Sequence, residues 1–201
     1  MPTCGIHIIW TSYATWLPGD SRGHWSPLYN LYGQLQKAGH QLNMPDQSTE
    51  KFALTRLTDS PKTLQPHERF LVAATLLDHF THPTATSSTY TVPANAQPGQ
   101  GRSYVKPQCH AAAIEDTHIH LLLGPVQEDL ERYIGRLKGA TSSALKKLPQ
   151  NKTRTHHWTA KFWRVFLFDP RSLTPVRNYI TNHNRRRGIS PDPYDWITPL
   201  P

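Results

Sequence analysis

Two short stretches of this chain carry side chains that could do chemistry together. His118-Ile119-His120 lies in a run of β-forming residues. A strand turns successive side chains to opposite faces, so both imidazoles point one way while Ile119 faces the other, core side. Held about 7 Å apart along the backbone, two imidazoles can reach one divalent cation. About sixty residues on, Tyr179 and His183 stand four apart in a helical stretch, which stacks them on one side of the helix. Val176 and Ile180 lie close to that side, so it packs toward the protein body. Taken singly, each piece has an ordinary reading: a polar surface pair, a packed tyrosine, a hydrogen-bonded histidine.

Cations surround both pieces. Arg132, Arg136, Lys138, Lys146 and Lys147 follow the histidine pair, Lys161 and Arg164 flank a later β-type run, and Arg185-Arg186-Arg187 follow His183. Trp158, Trp163 and Tyr133 are interleaved among them as surfaces on which bases could stack. The bias extends to the whole chain. Of 201 residues, 22 are Lys or Arg and 14 Asp or Glu, a formal charge of +8. Residues 1–100 hold 6 basic and 6 acidic side chains, and residues 101–201 hold 16 and 8, so the whole excess lies in the second half. A one-sided basic field attracts a polyanion, either nucleic acid or an anionic membrane surface.

Several classes drop out. No apolar run approaches the roughly 18 residues of a membrane-spanning helix, and Met1-Pro2-Thr3-Cys4-Gly5-Ile6 has no signal-peptide pattern. Two cysteines, Cys4 and Cys109, are too few for a disulfide framework or a four-Cys zinc site, and both read as small buried hydrophobes. The expected place is the cytoplasm, in association with the nucleoid.

The elements that must position these residues are legible in part. Residues 4–17 read as an opening strand closed by Pro18-Gly19-Asp20. A long polar insertion at about 20–65 follows, with a short helix near 47–57. Phe70, Leu71, Ala74, Leu77 and Phe80 predict a helix from Glu68 to Phe80, with Pro66 at its start. Residues 81–103 read as a connection with a short strand at Tyr90-Thr91-Val92. Gln108–Glu115 and His118–Leu123 predict a hairpin turning at Asp116-Thr117. Leu130, Ile134, Leu137, Thr141, Leu145 and Leu148 predict an amphipathic helix over Glu128–Leu148. A polar loop over 149–161 and a β-type run Phe162–Phe168 come next. The final helix has Thr174 as its expected cap, Pro175 first in the helix, arginines in the last turn and Gly188 just past it. His7 and His110 read as sheet-face or hydrogen-bonding histidines, and His156-His157 as solvated.

Together these features resemble the HUH-type single-tyrosine transposases, the IS200-like and REP-associated tyrosine transposases being nearest. The likeness lies in His118-Ile119-His120-Leu121-Leu122-Leu123 with its following helix, Arg136-Leu137-Lys138, Phe162-Trp163-Arg164-Val165 and Val176-Arg177-Asn178-Tyr179-Ile180. Tyr13-Ala14-Thr15-Trp16-Leu17-Pro18-Gly19-Asp20 is similar to the start of one subgroup. Asp116-Thr117 stands where members often have Pro-Asn, and Asn182-His183-Asn184-Arg185 where many have Asn-Pro.

The resemblance implies a metal-dependent single-strand DNA endonuclease and strand transferase acting on hairpin-containing DNA in transposition. Tyr179 would be the nucleophile, forming a 5′-phosphotyrosine link. His118, His120 and His183 would hold Mg²⁺ or Mn²⁺, and Lys138 would contact phosphate or aid the leaving group. Arg132, Arg136, Lys146, Lys147, Lys161, Arg164, Arg185, Arg186 and Arg187 would contact DNA. A homodimer sharing its active sites is one implied assembly. Two rivals are a non-cleaving hairpin DNA- or RNA-binding module and a metal-dependent hydrolytic nuclease. The expected fold is α+β, a ferredoxin-like sandwich with a central antiparallel sheet, as a single domain ending in a flexible tail at about 189–201.

Overall fold

The hairpin read around the histidine pair is present, and a third strand pairs with it from far away in sequence. The computed structural model describes residues 3–17, 20–21, 45–81 and 106–201. Among them, β1 is Gly5–Thr11, β2 Cys109–Ile114, β3 His118–Leu123 and β4 Trp163–Leu167. They form one antiparallel sheet in the order β2-β3-β1-β4. Helices α1 (Gln47–Thr55), α2 (Pro66–Thr81), α3 (Leu130–Lys146) and α4 (Leu173–Arg186) complete the mixed α+β chain. Residues 22–44 of the expected insertion, the Pro18-Gly19 turn and the Tyr90-Thr91-Val92 strand lie outside the described residues.

Strand parity divides the sheet between two partners. Ile6, Ile8 and Trp10 of β1 and Ile119, Leu121 and Leu123 of β3 join α2 and α3 in the larger core. Ala111, Ala113 and Leu122 meet Leu173 and Ile180 of α4 on the opposite face. The sheet is therefore the middle of three layers, and His7, His118 and His120 share the α4 face.

Three corrections concern helices and tail. The expected apolar face of α2 included Phe70, which is 77% exposed; the buried row is Glu68, Val72 and Leu76. Glu68 draws that row inward. Its carboxylate accepts from Lys62 Nζ at 2.6 Å, from Asn151 Nδ2 at 2.7 Å and, as in a capping box, from the Gln65 amide at 2.9 Å. Helix α4 begins at Leu173, so Thr174 lies inside its first turn. The 3₁₀ turn Pro170–Ser172 leads directly into it, and the Asp169 carboxylate caps that turn through the Arg171 amide. The end of α4 is as expected, with Gly188 at φ +70°.

Residues 189–201, expected as a flexible tail, are docked. Trp196 is buried, stacked between Phe80 and Tyr194 with ring centroids at 4.9 and 5.2 Å. Ile197 bridges Cys109 in parallel, and the Thr198 amide donates to the Cys109 carbonyl at 2.8 Å. The apolar and aromatic residues of this stretch lack a period of 2 or 3.6, so no pattern announces a contact that depends on the edge of β2. His110 binds the tail carbonyls of Thr198 and Pro199. His157, expected as solvated, is buried.

Glu68 and Lys62 form a buried pair, and losing one partner leaves an uncompensated charge. Glu68→Ala is expected to lower stability by about 3 kcal/mol in urea unfolding; a change below about 0.5 kcal/mol would show the pair to be expendable. His79 and His157 are each held down to about 4, first by burial and then by neighbouring cations, Lys106 and Arg136 or Lys62 and Arg154. Below pH 6.5 the unfolded chain takes up protons that the folded rings refuse. Stability is therefore complete above about 6.5 and falls as pH drops toward 4, by up to about 1.4 kcal/mol per pH unit for each ring. Unfolding midpoints measured between pH 7.5 and 4.5 check this, and a flat profile would contradict it.

Candidate active site

The site is built where α4 crosses β3. His118 and His120 stand two apart on β3, and the antiparallel register sets Thr11 opposite His118 and Ile9 opposite His120. Helix α4 is seated by Leu173 and Ile180 in the apolar patch and by Asn184, whose amide donates to the Ala112 carbonyl of β2 and to Pro191 in the tail, both at 2.9 Å. Gly5 permits this close approach. A Cβ there would lie 2.7 Å from Leu173 Cδ2. So seated, α4 turns Tyr179 and His183 onto the histidine pair.

The result is a tight constellation. His118, His120 and His183 offer ligand nitrogens that all lie within 4.8 Å of one another. The His120 and His183 ring centroids are 4.5 Å apart, and His118 lies 4.7 Å from His120 and 5.5 Å from His183. Tyr179 stands beside them, 5.1 Å from His183 and 5.5 Å from His120 between ring centroids, yet it is 49% exposed. The pair expected from i, i+4 spacing and the pair expected from strand alternation thus meet in one place.

Burial governs the electrostatics. His120 is 2% exposed, and burial, followed by the fields of His118, His7 and His183, pushes its pKa down to about 2. Burial also lowers His183, against the opposing pull of Glu115, whose Oε1 lies 3.5 Å from Nδ1. Neutral imidazoles keep the lone pairs that a metal needs. Two of those nitrogens, Nε2 of His120 and Nε2 of His183, are buried with no hydrogen-bond partner. Buried polar atoms are normally paired, so orphaned imidazole nitrogens converging at this distance fit a divalent cation.

The basic residues do not form one groove. Helix α3 packs on the sheet face opposite the histidines, so Arg132, Arg136, Lys146 and Lys147 belong to the far layer. Arg136 is paired with Glu128, and Arg164 with Glu131. Lys161 is exposed in the loop before β4. Lys138, expected as a phosphate contact, is buried. Its ammonium donates to the carbonyls of Thr159, Ala160 at 2.9 Å and Lys161 at 3.2 Å, and burial lowers its pKa to about 8. Arg185 and Arg186 are exposed on the site's own helix, while Arg187 donates to the Ile114 carbonyl. Two of the expected stacking aromatics are core residues, Tyr133 and Trp158; Trp163 is half-buried on the histidine face of β4, opposite Ile9.

Two residues of the site escaped the sequence reading as members of it. His7 Nε2 lies 3.1 Å from His120 Nδ1, and Glu115 stands behind His183. His7 shares strand parity with the pair, a signal that becomes readable only when β1 is known to lie beside β3.

Three mutually close histidines that could hold a metal ion thus lie beside an exposed tyrosine on an α-covered antiparallel sheet. The model of the family described as "Transposase IS200 like" matches residues 105–183, a segment that runs from β2 through His118, His120 and Tyr179 to His183. Over that segment the chain is similar to the IS200-like transposases. No curated protein matches the sequence significantly. Among the described residues, no helix is long and apolar enough to cross a membrane.

Removing one imidazole should be visible directly in metal binding. His183→Ala is expected to weaken Mn²⁺ binding at least about tenfold by calorimetry, a loss of about 1.4 kcal/mol or more, with little change in the unfolding midpoint. Unchanged affinity would mean that the three histidines do not hold the ion.

Proposed function

We propose that the protein is a metal-dependent single-strand DNA endonuclease and strand transferase that works through Tyr179 on hairpin-containing DNA. The observation that carries this reading is the exposed Tyr179 ring set against three mutually close histidines, two of them with orphaned inward nitrogens. The element order strand–helices–strand–strand–helix–strand, followed by α4, with sheet order β2-β3-β1-β4 supports the ferredoxin-like sandwich expected with that chemistry.

The Tyr179 hydroxyl oxygen attacks the scissile phosphorus. A Tyr–O–P bond forms, the bond from phosphorus to the 3′-oxygen breaks, and the phenolic proton is balanced by protonation of the departing 3′-oxygen. The covalent link conserves the phosphodiester energy, so another 3′-OH can reverse the step and join ends. Mg²⁺ or Mn²⁺ held by His118, His120 and His183 would supply charge for a non-bridging phosphate oxygen. Helix α4 positions the hydroxyl relative to the ligands, since nucleophile and third ligand are one turn apart on the same rigid element. Arg185 and Arg186, at the exposed end of that helix, are placed to hold the flanking backbone.

Labelled single-stranded hairpin DNA incubated with the protein and Mn²⁺, then run on denaturing gels, tests the reading. Wild type is expected to give a protein–DNA adduct. Tyr179→Phe is expected to lose the adduct and to cleave at least about 10³-fold more slowly. Cleavage that persists in Tyr179→Phe would identify water as the nucleophile and a hydrolytic nuclease. Binding without cleavage by either protein would identify a module that only holds DNA.

A further inference from the structure

We propose that His7 is a positioning residue: it holds the His120 imidazole in the single tautomer that presents Nε2 to the cation shared with His118 and His183. The proposal rests on the metal reading above and adds to it a residue from a strand more than a hundred positions away in sequence.

A neutral imidazole carries one proton on two nitrogens. His120 is buried, and its Nε2 has no partner in the protein while its Nδ1 lies 3.1 Å from His7 Nε2. Two arrangements satisfy that contact. If His7 donated, His120 Nδ1 would accept, and the proton of His120 would sit on Nε2. That N–H would have no acceptor in the protein, and Nε2 would offer no lone pair to a cation. If His120 donates from Nδ1, His7 accepts on Nε2, and the His120 Nε2 lone pair is left for a cation. The second arrangement leaves no N–H of His120 unsatisfied. It needs His7 with a bare Nε2, the nitrogen that lies against His120 Nδ1.

Strand geometry sets the contact. His7 pairs across with Leu122, and Ile9 with His120, so His7 reaches His120 on the diagonal of the same face. The two rings stack, with centroids 5.3 Å apart and planes at 24°. The other ligands show the same division of labour. Thr117 Oγ1 lies 3.0 Å from His118 Nδ1, and Glu115 Oε1 lies 3.5 Å from His183 Nδ1. Nδ1 of His120 and of His118 thus each lie within hydrogen-bond distance of a side chain outside the triad, and Nδ1 of His183 faces a carboxylate. Such outer partners commonly fix the tautomer and ring orientation of metal-bound histidine. His7 is the partner buried deepest in the sheet, where bulk water has little access to replace it.

The experiment has two readouts, neither of them activity. In the metal-free wild type, long-range ¹H–¹⁵N spectra of His120 are expected to show the Nδ1–H tautomer. His7→Phe keeps a ring of similar size and removes the acceptor. It is expected to bind Mn²⁺ about 10- to 100-fold more weakly by calorimetry, with His120 no longer in one tautomer. His7→Gln, whose amide oxygen can accept in place of Nε2, is expected to return affinity to within about threefold of wild type. An Nε2–H tautomer in the wild type, or a His7→Phe protein that binds Mn²⁺ as tightly as wild type, overturns the proposal. Should His7→Phe fail to fold, the wild-type tautomer and the Gln variant decide it. A wild type that binds no Mn²⁺ refutes the metal reading itself, and so is distinguished from a failure confined to His7.

Discussion

The docking of α4 across β2 and β3 is the contact on which the site depends. Leu173 and Ile180 enter an apolar patch made by alanines and Leu122, and Asn184 clamps the helix to a β2 carbonyl. Small residues at Ala111 and Ala113, and a bare Gly5 beneath Leu173, allow the approach. A rotation of the helix by one residue, about 100°, would carry His183 off the pair and Tyr179 with it. Packing on one side of the helix therefore aims the chemistry on the other.

Burial then prepares the nitrogens. Burying His7, His120 and His183 beside one another favours their neutral forms, first because a proton on any of them would be poorly solvated. Such a cluster would be a costly way to build a core unless something uses the lone pairs. Within that cluster, Nε2 of His120 and Nε2 of His183 are buried without a hydrogen-bond partner. Tyr179 differs from them in being half exposed, as the proposed nucleophile must be to meet a polymer from solution.

Charge is organised more finely than its sum suggests. The excess of +8 lies in residues 101–201, but the sheet separates it into two layers. Lys138 is consumed by three carbonyls, and Arg136 and Arg164 are paired with glutamates. Arg185 and Arg186 remain exposed on the helix that carries the tyrosine. A charge count indicates a polyanionic partner, and pairing and burial decide which cations are placed to meet it.

Local pattern was enough for what is local. The alternation in 118–123 put His118 and His120 on one face, the i, i+4 spacing put Tyr179 with His183, and the hairpin, α2, α3 and α4 lie where periodicity and turn chemistry indicated, with boundaries shifted by a few residues. What depends on contact between distant segments was not legible. The orientation of α2 follows from the buried Lys62–Glu68–Asn151 network, and the tail's place follows from the edge of β2 and the Phe80–Trp196 stack. By itself, then, the sequence determined which side chains share a face, because that is fixed by backbone periods of 2 and 3.6. The tertiary structure decided that the faces meet, that His7 stands behind His120, and that Lys138 is withdrawn into the protein. Those outcomes depend on strand register and helix docking, which no single segment encodes.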